Sequence, residues 1–363
     1  MRRPTRLLLF PFCILLLILL PSCAPTQELS PLTAQLIFIN LESIGASQIV
    51  LQPDLRSPAT ILPFAVPANC SIYNLYPNPI QPYLAVELLC GDQAQVIILD
   101  TQTSKPLIPI DDSDSRFLAW TPDGRQVYLR VNPLGNPRVI RFTVAGGRSE
   151  TLAFPPTLYD LVILPDGKSV LYSTTQGIGS GSEVWLAAPD GKSARGVFTD
   201  RQNIVAYLRP SPDGNQVAFI LFPDSQVPFP NGELWVMDVN GENPRKLASA
   251  DAGHGYAPAW SPDGTQIVFV VRENASDRRV EQSAGALISN LYQVEVQSGN
   301  LVPVTRFTDA IVETPLWSPD GSAVAFNIIR NGKIQASVHE MDSTAVMTLG
   351  NGLSCCAIWL PGK

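Results

Sequence analysis

Five segments of the chain align on a Pro-Asp-Gly core, beginning at Pro122, Pro165, Pro212, Pro262 and Pro319. Asp-Gly between two apolar runs signals a hairpin, because the turn needs positive φ, which Gly and Asp tolerate. Two degenerate copies flank the series, Leu75-Tyr76-Pro77-Asn78 and Trp359-Leu360-Pro361-Gly362. The aligned prolines, 77, 122, 165, 212, 262, 319 and 361, recur every 42 to 57 residues, the length of a four-stranded propeller blade.

Each copy carries the grammar of such a blade. An apolar strand follows the turn, as in Gln126 to Val131, Gln216 to Phe222 and Gln266 to Val271. A third strand comes next, as in Glu183 to Ala187 and Glu233 to Val239, and then a second turn such as Asn240-Gly241-Glu242 leads to a short outer strand. Residues 36–62 read as three strands lacking an inner one, and Cys356 to Leu360 as an inner strand with nothing after it. Pairing them completes a first blade from both termini and buries the open edges. The expectation is an all-β, seven-bladed β-propeller over 36–363, its first blade closed by the C-terminal strand. Only 16% of residues are charged, against 33 Pro and 25 Gly, a balance that suits many short strands.

These repeats, three of them with Trp120, Trp260 or Trp317 two positions before the proline, resemble the WD40-like repeats of TolB-type propellers. The resemblance covers nearly the whole chain after residue 35. It implies either an extracytoplasmic binding scaffold or the propeller of a prolyl-oligopeptidase-like hydrolase, so the function must come from the site. Trp120, Trp260, Trp317 and Trp359 recur at one repeat position, which points to packing between blades.

Catalytic groups are scarce. Only His254 and His339 are present, no Gly-x-Ser-x-Gly elbow occurs, and the repeats fill the chain to Lys363. His339 reads as a structural residue within a strand. Gly167-Lys168-Ser169 and Gly191-Lys192-Ser193 lack the first Gly of a phosphate loop and read as hairpin turns. The chain is therefore expected to be no enzyme and to need no cofactor or metal; the alternative is a propeller-type hydrolase or lyase with its site at the channel mouth.

In a propeller the Pro-Asp-Gly turns share one face, while the longer loops between second and third strands and the connectors between blades share the other. Working loops on a rigid scaffold belong to the second face. Its loops are 174–182, 223–232 and 272–290, and its connectors hold Asp111, Asp112, Asp114, Asp200, Asp251, His254, Tyr256, Asp309 and Glu313. Asp251, His254, Tyr256, Arg272, Asp309 and Glu313 form the candidate ligand site, an acidic rim able to attract a basic peptide, a cation or a polar ligand. The segment Arg272 to Arg279 is either a partner-binding loop or a mobile insertion.

The N-terminus supplies an address. Arg2, Arg3 and Arg6 precede an apolar stretch from Leu7 to Leu20, too short for a comfortable membrane span. Leu20-Pro21-Ser22-Cys23 resembles the bacterial lipobox, which implies a signal peptide over 1–22, lipidation of Cys23 and a tether over 23–35. The expected location is the extracytoplasmic face of a bacterial membrane, held by the lipid alone. The expected partners are an envelope or extracellular protein, peptide or glycan. The formal charge is -7, so nucleic acid is excluded as a general partner.

Export permits disulfides among Cys70, Cys90, Cys355 and Cys356. One arrangement bridges Cys70 to Cys355 and staples the ring closure. The other joins Cys70 to Cys90 across a hairpin and Cys355 to Cys356, and is preferred because Cys90 ends the strand paired with that of Cys70.

Overall fold

A computed structural model describes residues 34–360 apart from 44, 45, 110–113, 133, 255 and 351. Cys23, the signal segment, Asp111 and Asp112 lie outside the described residues. Seven four-stranded antiparallel sheets form the blades of a propeller. Blade 1 pairs the inner strand Ser354–Trp359 with Leu36–Ser43, Ala46–Gln52 and Thr60–Leu62, so both ends of the chain close one sheet. Blades 2 to 7 follow in order over 70–109, 115–151, 158–200, 203–251, 259–303 and 311–348, each running from an inner to an outer strand. Among the described residues no helix is long and apolar enough to cross a membrane.

The core sits between blades. Ala85, Val96 and Ile98 of blade 2 pack on Trp120, Val127 and Leu129 of blade 3. The same alternation joins every other neighbouring pair around the ring, including blade 7 to blade 1 through Ala325, Val338, Phe38 and Trp359. The Pro-Asp-Gly turn is part of these seams. Gly214 has φ +73°, and a Cβ there would lie 3.2 Å from Cδ of Pro165 in the preceding blade. Its Ser211 hydroxyl donates to Asp213 Oδ1 at 2.5 Å and accepts the Gln216 N–H at 3.0 Å. The recurrent tryptophans also stitch seams: Trp120, Trp260 and Trp359 donate Nε1–H to the carbonyls of Tyr76, Arg209 and Leu316 in the preceding blades.

Two sequence expectations are corrected. The Asn78 N–H bonds the Tyr83 carbonyl, as the Ser211 N–H bonds that of Gln216, so the first repeat aligns on Pro79, two residues beyond Pro77. Cys70 and Cys90 face each other across their hairpin and form a disulfide, but Cys355 and Cys356 are free thiols. Cys355 is buried in the core between blades 1 and 2, and Cys356, half-buried against the same cluster, has φ +61° at the bulge that interrupts this strand's pairing with Leu36–Ser43.

The 272–290 loop is anchored, not loose. It carries two short 3-10 turns, and its Val280 and Leu287 are buried against Ile311 of blade 7.

Candidate functional site

The inner strands surround the propeller axis, and bulges interrupt their pairing four to six residues before the repeat proline. The ladder skips Tyr73 in blade 2, Leu118 in blade 3 and Tyr159 in blade 4. It skips Tyr207 with Leu208 in blade 5, and Thr314 with Pro315 in blade 7. In blade 6 the ladder starts only at Ala259, beyond Tyr256. Tyr207, Tyr256, Thr314 and Cys356 have φ of +59°, +57°, +50° and +61°. A left-handed non-glycine residue is uncommon and costs free energy, yet here one occurs in each of four consecutive blades.

The consequence is a channel lined by tyrosines. Tyr207 and Tyr256 meet edge to face with ring centroids 6.2 Å apart. Burial first, then Glu313, Tyr73 and Cys356, push the Tyr256 hydroxyl up to about 12. Those neighbours come from blades 7, 2 and 1, so the groups converge on the axis. Burial, then Tyr159 and Tyr256, likewise raise the Tyr207 hydroxyl. Tyr73, Tyr159 and Tyr256 nevertheless remain open to solvent, at 55%, 45% and 42% exposure. On the blade 2 side Tyr76 stacks on Phe117 at 3.9 Å and donates its hydroxyl to Glu87, which pairs with Arg116 at 3.0 Å; Arg116 in turn lies over the Tyr73 ring. At neutral pH the raised tyrosines are neutral rings whose hydroxyls both donate and accept hydrogen bonds.

The six residues singled out from sequence divide into three groups. His254, Tyr256 and Glu313 come together: His254 Nδ1 lies 3.2 Å from Glu313 Oε1, and its ring stacks on Phe229 at 4.8 Å. Asp251 and Arg272 are withdrawn from the rim. Their ion pair, 3.0 Å long, has no exposed side-chain surface, and Asp251 also accepts the N–H groups of Gly253 and His254 while Arg272 bonds the carbonyls of Phe229 and Pro230. They brace the connector that carries His254. Asp309 pairs instead with Arg330 at 3.1 Å, exposed on blade 7. Asp200 caps its own connector by accepting the N–H groups of Gln202 and Asn203, and Asp114 accepts the Ala94 N–H. Among the described residues no three His, Cys, Asp or Glu side chains are grouped to hold a metal.

Tyr73, Tyr159 and Tyr207 were not among the sequence candidates. A signal exists: Tyr73, Tyr159 and Tyr256 each stand six residues before Pro79, Pro165 and Pro262. For Tyr73 it becomes readable only once the first repeat is shifted to Pro79.

Residues 176–355 match the TolB beta propeller domain family. The chain is a TolB-type propeller. A curated relative, an uncharacterized protein of Agrobacterium fabrum, is 23% identical over 194 residues, 49% of this chain and 62% of the relative, so the match spans less than two thirds of that protein. The solved structure of a putative TolB from Agrobacterium tumefaciens is 19% identical with a TM-score of 0.50, covering 71% of this chain and 94% of that one. An oligogalacturonate lyase in complex with manganese is 17% identical with a TM-score of 0.62, covering 87% and 86%. At these identities the likeness shows the fold, which TolB-type proteins share with propeller enzymes.

Proposed function

We propose that the protein is an extracytoplasmic lipoprotein, anchored through Cys23, whose propeller acts as a non-catalytic binding scaffold for an envelope or extracellular protein, peptide or glycan. The ligand enters the tyrosine-lined channel from the face that carries the blade connectors. The observation that carries this reading is the recurrence of strained or bulged backbone in the stretch just before the repeat proline, where Tyr73, Tyr159, Tyr207 and Tyr256 stand. Strain of this kind persists where a function requires it, and aromatic faces beside hydroxyls suit stacking and hydrogen bonding to a partner.

Orientation supports the same reading. Leu36 pairs with Trp359 at the Pro-Asp-Gly end of blade 1, the end opposite the channel mouth of this reading.

The alternative, a lyase or hydrolase at the channel mouth, draws on the His254–Glu313 pair. The second ring nitrogen of His254 has no hydrogen-bond partner. A turnover screen distinguishes the two: activity on a polysaccharide or peptide substrate that disappears in His254→Ala overturns the scaffold reading, whereas envelope proteins retained by wild type and lost from Tyr73→Ala/Tyr159→Ala support it.

A further inference from the structure

The seam between blades 6 and 7 departs from the others. At the repeat position where Trp120, Trp260 and Trp359 each donate to the preceding blade, Trp317 has a buried Nε1–H with no acceptor. Register puts a second unmatched group in the same row. Trp317 pairs with Val324, Val324 with His339, and His339 with Val346, so these side chains share the face of blade 7 turned toward blade 6. The third-strand residue of this row is Leu99, Phe142, Ala187, Met237 and Val294 in blades 2 to 6. Blade 7 alone among these six puts a histidine there, 5% exposed, and its Nδ1 has no partner. Burial lowers the His339 pKa, which favours the neutral imidazole, a ring with one donor and one acceptor nitrogen.

Both groups border a groove of about 880 Å³ that opens between the Pro-Asp-Gly turns of blades 6 and 7, with Val304, Phe307, Met341 and Val346 giving it apolar walls. One side of the groove is the outer strand of blade 6, only Leu301–Pro303, with Leu301 and Val302 exposed at 43% and 46%. Buried polar groups in folded proteins are matched, and a mismatch calls for an explanation. Here two residues that border a single groove, beside an exposed apolar edge strand, each carry a buried polar atom without a partner.

We propose that this groove binds an extended peptide segment of a partner protein, whose backbone carbonyl accepts from Trp317 Nε1–H and whose backbone N–H donates to His339 Nδ1. An extended backbone offers both groups along its length, its alternate apolar side chains fit the walls, and its edge can lie along the Leu301–Pro303 strand. The site lies in the outer seam between blades 6 and 7, with Trp317 and His339 at its Pro-Asp-Gly end, and stands independently of the channel reading.

The test is selection of a displayed random heptapeptide library on the full chain. The free peptides recovered are then measured against wild type, Trp317→Phe, His339→Met and the channel variant Tyr73→Ala/Tyr159→Ala. The two groove variants keep the ring or volume and remove one hydrogen-bonding group each, and His339→Met installs the residue that blade 5 uses at this position. The expected result is a peptide that binds wild type and the channel variant alike, loses at least tenfold in affinity to each groove variant, and shifts the indole N–H resonance of Trp317 on binding. The proposal is overturned if no recovered peptide depends on both residues, if binding moves with the channel variant instead, or if chitotriose, which carries amides on a sugar, shifts the Trp317 indole while the peptides do not.

Discussion

Arg272 and Asp251 form an ion pair 3.0 Å long in which neither side chain keeps any solvent-exposed surface, at the seam where blade 5 gives way to blade 6. Their chemistry is structural. Removing one member leaves the other charged, buried and unmatched, so Arg272→Ala or Asp251→Ala is expected to cost about 3–5 kcal/mol of unfolding free energy. Denaturant unfolding of either variant reads this directly; a loss under 1 kcal/mol contradicts the structural assignment.

The tryptophan seams make a contrast within one protein. Replacing Trp120 or Trp260 by Phe removes an indole hydrogen bond between blades and is expected to lower stability by about 1 kcal/mol beyond the packing change. Trp317→Phe removes a donor that has no acceptor and is expected to lose only the packing term. Thermal unfolding of the three variants side by side checks the ordering.

The turn carboxylates set the acid limit. Hydroxyls of Thr121, Ser211 and Ser261, followed by backbone N–H groups, hold Asp123, Asp213 and Asp263 below the ordinary aspartate range. A carboxyl depressed in the folded state binds fewer protons there than when unfolded, so its contribution is present above about pH 4 and is lost as pH falls through the folded value. Stability measured from pH 7 to pH 2 is expected to fall mainly below pH 4. Ser211→Ala is expected to flatten part of that fall.

The Cys70–Cys90 bridge closes a loop with a sequence separation of 20. Its loss through the double serine variant is expected to lower stability by about 3 kcal/mol, chiefly by freeing the unfolded chain. Chemical denaturation with and without reductant checks it, and the double variant should be insensitive to reductant.

The propeller was legible because its signal is local. An Asp-Gly turn and its flanking apolar runs announce a hairpin within ten residues, and repetition does the rest. The channel wall was not, because a bulge inserts a residue that periodicity cannot register: Tyr73 and Tyr159 sit where the ladder skips. The Pro77 alignment concealed their common spacing. Asp251 and Arg272 read as rim charges because nothing local reveals that residues 21 apart in the chain meet inside the protein. For the same reason Trp317 looked like its three counterparts, although its missing acceptor distinguishes it.

The most direct test of the channel as a binding surface passes detergent-solubilised envelope over the full chain immobilised through its N-terminus, beside Tyr73→Ala/Tyr159→Ala and Lys168→Ala/Lys192→Ala, the latter on the turns of the opposite face. Both tyrosines are substantially exposed, so the first variant should fold as wild type does. The account predicts that proteins retained by wild type and by the lysine variant are lost from the tyrosine variant. Retention of the same proteins by a folded tyrosine variant contradicts it.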